Sequence, residues 1–149
     1  MRVLLQRVTR ASVEVDGEVV GLIDQGILVL LGVFKGDSEE HVDKLLHKLF
    51  HYRIFADEQG KMNRSVKDIH GGLLIVSQFT LAAETRKGLR PGFSDAAEPS
   101  RAKALYEYFI DQAQIIAKES GNTVNNGVFG ADMQVSLTND GPVTFLLEV

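Results

Sequence analysis

The chain has 149 residues, with 16 Lys and Arg against 20 Asp and Glu for a formal net charge of -4, and it contains neither Cys nor Trp. That length suits one domain over residues 1–149 with a core of its own, and the missing Cys excludes disulfides, thiolate metal sites and a thiol nucleophile. A hydrophobic share of 44% beside 24% charged residues excludes wholesale disorder, and the acidic balance argues against a broad nucleic-acid-gripping surface.

The first third reads as strands. Val3, Leu4 and Leu5 lead to Val8, and Val13 and Val15 alternate with Ser12 and Glu14. Asp16-Gly17 is a strong hairpin signal, and Val19, Val20 and Leu22 continue the returning arm. Gly26 to Val33 is apolar on both parities, as expected of a strand covered on both faces. The first helix follows, with Asp37 as its expected cap and Glu40 as the capping-box partner. Its stripe is Val42, Leu45, Leu46, Leu49 and Phe50. Arg53-Ile54-Phe55 reads as a strand, turned by Asp57 to Gly60. Gly71-Gly72 opens a second buried strand, Leu73–Val76, which runs into Ser77-Gln78-Phe79-Thr80-Leu81.

Residues 84–100 read as a loop. Pro99 then sits in the first turn of a second helix, where its missing N–H costs little. Ala102, Leu105, Phe109, Ala113 and Ile116 form the stripe of this helix, and Ser120-Gly121-Asn122 ends it. Three short strands are expected at the end, Thr123–Phe129, Met133–Leu137 and Val143–Val149, with a turn at Thr138–Pro142 between the last two. The pattern is α+β, mainly antiparallel strands with two packed helices. The longest apolar runs fall far short of the about 20 residues a membrane helix needs, and Met1-Arg2 leads into a strand with no signal-peptide pattern. A cytoplasmic protein without membrane association is expected.

Chemistry has few places to reside. His47 and His51 stand at i and i+4 beside the Leu45/Leu49 stripe, with no HExxH arrangement and no carboxylate cluster, so no metal and no cofactor is expected. The glycines at Gly32 and Gly71-Gly72 fit close packing or turns and match no phosphate loop. Ser77–Leu81 is more informative, because backbone N–H groups at a strand end leave the ladder and become free to bind a developing oxyanion. Thr80 is either a nucleophile or a hydrogen-bonding group, and no His or Lys in the motif serves it as a base. Asn139-Asp140-Gly141-Pro142 is good turn chemistry that needs no function. Arg86, Lys87, Arg90, Arg101 and Lys103 stand against Asp95 and Glu98, a local net of +3, whereas the chain from residue 104 onward has a net of -5. Such a strip is either a solvated loop or a place to meet phosphates.

Taken together and in this order, these segments resemble the D-aminoacyl-tRNA deacylase family, of the D-Tyr-tRNA deacylase type. The resemblance spans the whole chain. It rests on Met1-Arg2 with Gln6-Arg7-Val8 and Ala11-Ser12-Val13, on Ser77-Gln78-Phe79-Thr80-Leu81, on Lys87-Gly88 with Arg90-Pro91 and Phe93, and on Asn139 with Gly141-Pro142-Val143-Thr144. It implies a barrel-like fold and hydrolysis of the ester joining a D-amino acid, or glycine mischarged on tRNA(Ala), to the 3′-terminal adenosine of tRNA. It also implies a homodimer with sites at the subunit interface, where a cis Gly141-Pro142 peptide reaches into the partner's site and leaves no room for an L side chain. Ser77, Gln78, Phe79 and Thr80 would then surround the reacting ester, with the amides near Phe79 and Thr80 stabilising the oxyanion. Gln6 and Arg7 would line the site near the adenosine. Thr80 as nucleophile competes with activation by the terminal 2′-hydroxyl, and the lack of a base favours the latter. The alternative on the same scaffold is a non-catalytic module that binds an amino acid or a nucleotide.

Overall fold

A computed structural model describes residues 1–149. Eleven stretches of regular structure follow in order: β1 (Arg2–Val15), β2 (Glu18–Ile23), β3 (Gly26–Gly32), α1 (Glu39–His51), β4 (Phe55–Ala56), β5 (Met62–Arg64), β6 (Gly72–Ser77), a 3₁₀ turn (Phe79–Ala82), α2 (Pro99–Ser120), β7 (Thr123–Asn126) and β8 (Gln134–Glu148).

The long strand β1 organises the sheet. Its first half pairs antiparallel with β3 from Arg2↔Gly32 to Val8↔Gly26, and its second half pairs with β2 from Ala11↔Ile23 to Val15↔Glu18. Asp16 and Gly17 make the connecting turn with positive φ, as the Asp-Gly pair predicts. β8 runs antiparallel along the other edge of β1. β3 and β6 pair in parallel, as do β6 and β7, because α1 and α2 carry the chain back across the sheet each time. The sheet is therefore mixed, although antiparallel pairs outnumber parallel ones. It curls until β2 nears β7, where the Asn125 Nδ2 donates to the Leu22 carbonyl at 2.6 Å, and the outline is nearly a barrel.

Two apolar clusters explain the patterning. Ile27, Val29 and Leu31 of β3, with Leu73 and Ile75 of β6, face the helices and pack against Leu45, Leu49 and Phe109. Leu28, Leu74 and Val76 point to the other side and meet Val8, Ala11, Val13 and Ile23 inside the curled sheet. Both strands are thus covered on two faces, which is why neither alternates. No helix is long and apolar enough to cross a membrane.

Three expectations need correction. The cap of α1 is Ser38, whose N–H donates to His41 Nδ1 at 3.1 Å. Asp37 is engaged elsewhere, with one carboxylate oxygen on the Met1 ammonium and the other accepting the Phe34 N–H, both at 2.7 Å. The last two strands and their supposed turn form one strand, β8, that runs through Asn139–Pro142, and β7 ends at Asn126, short of Phe129.

Candidate active site

β6 leaves the sheet at a defined point. The Gln78 N–H donates to Leu31 O at 2.8 Å, and the 3₁₀ turn begins at the next residue. Leu81 is the first residue to donate within that turn, to Gln78 O at 3.1 Å. The amides of Phe79 and Thr80 precede this first bond, and the opening N–H groups of such a turn have no intrahelical acceptor. The turn lies directly on β3 because position 32 is glycine. A Cβ there would sit 2.8 Å from Leu81 Cβ and 3.3 Å from Gln78 O. Arg2 fastens the same corner: its guanidinium donates to Leu81 O at 2.7 Å, lies 5.0 Å from the Phe34 ring centroid and pairs with Glu148.

Beside this turn lies a cavity of about 500 Å³. Ser77, Gln78 and Phe79 form one wall, Pro99, Ala102 and Tyr106 of α2 form another, and Phe129 and Met133 close it. The lining is mostly apolar. Tyr106 is buried, and its hydroxyl lies within bonding distance of Ile75 O (3.0 Å) and Gly127 O (3.1 Å), so its proton is held by the protein. Burial pushes that phenol up to about 12, leaving it neutral at ordinary pH. Phe79 is 63% exposed at the mouth, with its ring 5.0 Å from that of Phe93. Thr80 is exposed outside the cavity and accepts a 2.6 Å bond from Gln78 Nε2.

Gln6, Arg7, Gly141 and Pro142 gather elsewhere, partway along the β1–β8 pair. Gln6 Nε2 donates to Thr144 Oγ1 at 3.3 Å. Arg7 donates to Asp140 O (2.9 Å) and Ile54 O (2.6 Å) and pairs with the Asp140 carboxylate at 3.1 Å. The Gly141-Pro142 peptide is cis, both residues are exposed, and a Cβ on Gly141 would sit 2.6 Å from Val143 N. Arg2, beside the 3₁₀ turn, lies five residues along β1 from Arg7, so about 17 Å of strand separates the two groups in one chain. On the sheet face between them, Leu4 stands opposite both Leu146 of β8 and Leu30 of β3. Leu146 is 51% exposed and the other two are half-buried.

Other candidates resolve simply. The rings of His47 and His51 stack at 4.5 Å on the exposed side of α1, and no group of three or more His, Asp or Glu side chains is placed to hold a metal. In the basic strip Arg86 is bound to Glu84, whose carboxyl it holds down to about 2. Lys103 pairs with Glu107, and Arg101 donates to Asp37 O. Lys87 and Arg90 are exposed with no ion-pair partner. Sequence reading did not single out Tyr106, Phe129 or Met133. Tyr106 was within reach, standing four residues after Ala102 and three before Phe109 on the expected stripe.

Residues 4–148 match the family model described as D-Tyr-tRNA(Tyr) deacylase. A Pseudoalteromonas translucida protein named D-aminoacyl-tRNA deacylase is 63% identical over 149 residues, covering 100% of both chains. A protein of that name from Stutzerimonas stutzeri is 62% identical over 148 residues, covering 99% of both. A solved structure described as c-Myc DNA Unwinding Element Binding Protein superposes with a TM-score of 0.94 at 41% identity, covering 100% of this chain and 99% of that one. A probable eukaryotic D-amino acid tRNA deacylase shares the fold, with a TM-score of 0.85 at 19% identity over 99% of this chain and 98% of that one.

Proposed function

Because this chain belongs to the D-Tyr-tRNA(Tyr) deacylase family, we propose that it hydrolyses the ester joining a D-amino acid to the 3′-terminal adenosine of tRNA at the end of β6. The observation that carries this placement is the pair of amides of Phe79 and Thr80 opening a turn at the mouth of an apolar cavity. The cavity has the size and lining for a nucleoside, and Phe79 and Phe129 offer faces for its base. With the adenosine seated there, the ester carbonyl lies over the turn. Water adds to that carbonyl, the two amides bind the oxyanion, and collapse releases the free amino acid and the 3′-hydroxyl of tRNA. No protein base stands at Thr80, so the terminal 2′-hydroxyl is the group placed to assist the proton transfers.

Selection against L-amino acids is assigned to Gly141-Pro142 of the partner subunit. Within one chain this segment meets β1 at Gln6–Val8, whereas the turn is held at Arg2, about 17 Å of strand away. A two-fold axis passing near Leu4 and Gln6 would exchange the two ends of the sheet face and set Gly141-Pro142 of one chain over Thr80 of the other. The row Leu146, Leu4 and Leu30 supplies apolar surface for that contact. A rigid segment facing the α-carbon rejects an L side chain by collision while D side chains point away, and glycine, with no side chain, passes the same filter. Lys87 and Arg90 are the cations free to meet the phosphates of the acceptor end. The cytoplasm, where tRNA is charged, is the compartment this substrate implies.

The test is ester loss from matched D- and L-aminoacyl-tRNA. Turnover of the D substrate with the L substrate spared is expected. Equal rates, or binding without turnover, would overturn the proposal, the second in favour of a non-catalytic module.

A further inference from the structure

We infer that Asn139 is a positioning residue for chiral selection: its carboxamide replaces the missing rungs of the β1–β8 ladder and fixes where Gly141-Pro142 project. The inference rests on the reading above that this segment enters the partner's site.

The ladder itself shows the need. It is regular from Arg2↔Glu148 to Gln6↔Thr144, then resumes at Val8↔Asn139, with register shifts on both sides of Val8. Between these rungs β1 advances two residues and β8 five, so β8 must loop three residues outward. Those three are Asp140, Gly141 and Pro142. An excursion of this kind leaves backbone groups at its feet without cross-strand partners. Asn139 supplies them from its side chain. Its Oδ1 accepts the Val143 N–H at 3.1 Å, and its Nδ2 donates to Val143 O and to Arg7 O, both at 3.0 Å. One amide therefore grips both the N–H and the C=O of the far foot and ties them to β1. The Val143 side chain is buried and anchors that foot in the core. Arg7 braces the loop as well, through Asp140.

Aspartate has the same shape and keeps the acceptor for the Val143 N–H. Both bonds donated by Nδ2 become contacts between oxygens, a repulsion at the two points that define the loop's position. A displacement of about 1 Å at a positioning group can change a rate by about 10²-fold. The quantity to measure is the ratio of kcat/KM for D- over L-aminoacyl-tRNA, because the amount of folded enzyme cancels from it.

Asn139→Asp is expected to lower this ratio by about tenfold or more, chiefly by admitting L substrate, and Pro142→Ala should lower it as well. A fall in both rates at a constant ratio, with a lower melting temperature, would make Asn139 merely structural and overturn the inference. If Pro142→Ala also leaves the ratio unchanged, the assignment of the segment fails with it. A wild-type chain that spares neither or attacks neither substrate fails at the earlier step. Should Asn139→Asp not fold, Asn139→Ser keeps an acceptor for the Val143 N–H and is expected to lower the ratio in the same direction. Amide exchange of wild-type Val143 gives an independent reading: slow exchange agrees with the bond to Asn139, and exchange at the rate of a free loop overturns it.

Discussion

Thr80 carries an exposed hydroxyl outside the cavity, and the side-chain bond it receives comes from an amide N–H, that of Gln78 at 2.6 Å. An amide nitrogen donates and cannot take a proton. A nucleophilic threonine needs a group that does, and none reaches Oγ1. On the proposed mechanism the oxyanion is held by backbone groups, which no side-chain substitution removes. Thr80→Ala is expected to keep kcat/KM for D-aminoacyl-tRNA within about tenfold of the wild type, whereas loss of a true nucleophile costs about 10⁴-fold or more. Single-turnover ester hydrolysis decides between the two. A loss on the larger scale would restore Thr80 as the nucleophile.

The elements of the interior were legible in the sequence, and those at the site were less so, for physical reasons. β3 and β6 announced themselves because burial on two faces removes alternation. The α1 stripe was read to the residue because amphipathic spacing reports which face is buried. The cap of α1 was misplaced by one residue, since the Asp37 carboxylate is taken by the Met1 ammonium, a contact 36 residues distant that no local motif records. Asn139–Pro142 read as a turn between strands because turn residues mark an excursion within a strand as readily as its end. The 3₁₀ turn could not be seen either. Its place depends on Gly32, 45 or more positions before it, and a lone glycine in a strand does not say what it makes room for. That dependence is testable. Gly32→Ala puts a Cβ 2.8 Å from Leu81 Cβ, which is closer than side chains pack, so the turn must move. The substitution is expected to cost about 1–3 kcal/mol of stability and to lower D-substrate kcat/KM by more than tenfold, read from thermal melting and ester hydrolysis together. Full activity would show that the turn does not need its seat on β3.

At the scale of the whole molecule, the total charge of -4 conceals an uneven surface. Most cations of the 86–103 strip are committed to protein partners, so the acidic balance argues against gripping a long duplex, and Lys87 and Arg90 are the two left to the proposed contact with one RNA end. The same economy governs assembly. On the proposed reading, the turn fastened at Arg2 and the loop beside Arg7, about 17 Å apart along β1, are joined across a second copy, with the leucine row at the contact. In a two-fold contact every residue acts twice, so one substitution places two charges in the interface. Leu146 suits this test because it is 51% exposed in the single chain, and a polar residue there leaves the core intact. Leu146→Glu is expected to give a folded chain, by unchanged far-ultraviolet circular dichroism, that sediments as a monomer of 16.4 kDa. Without the partner's loop, its preference for D- over L-aminoacyl-tRNA should collapse. A monomer that keeps the preference would mean that selection works within one chain. A variant that remains a dimer would place the interface on another face, because two carboxylates brought together in an apolar contact cost too much to be tolerated there.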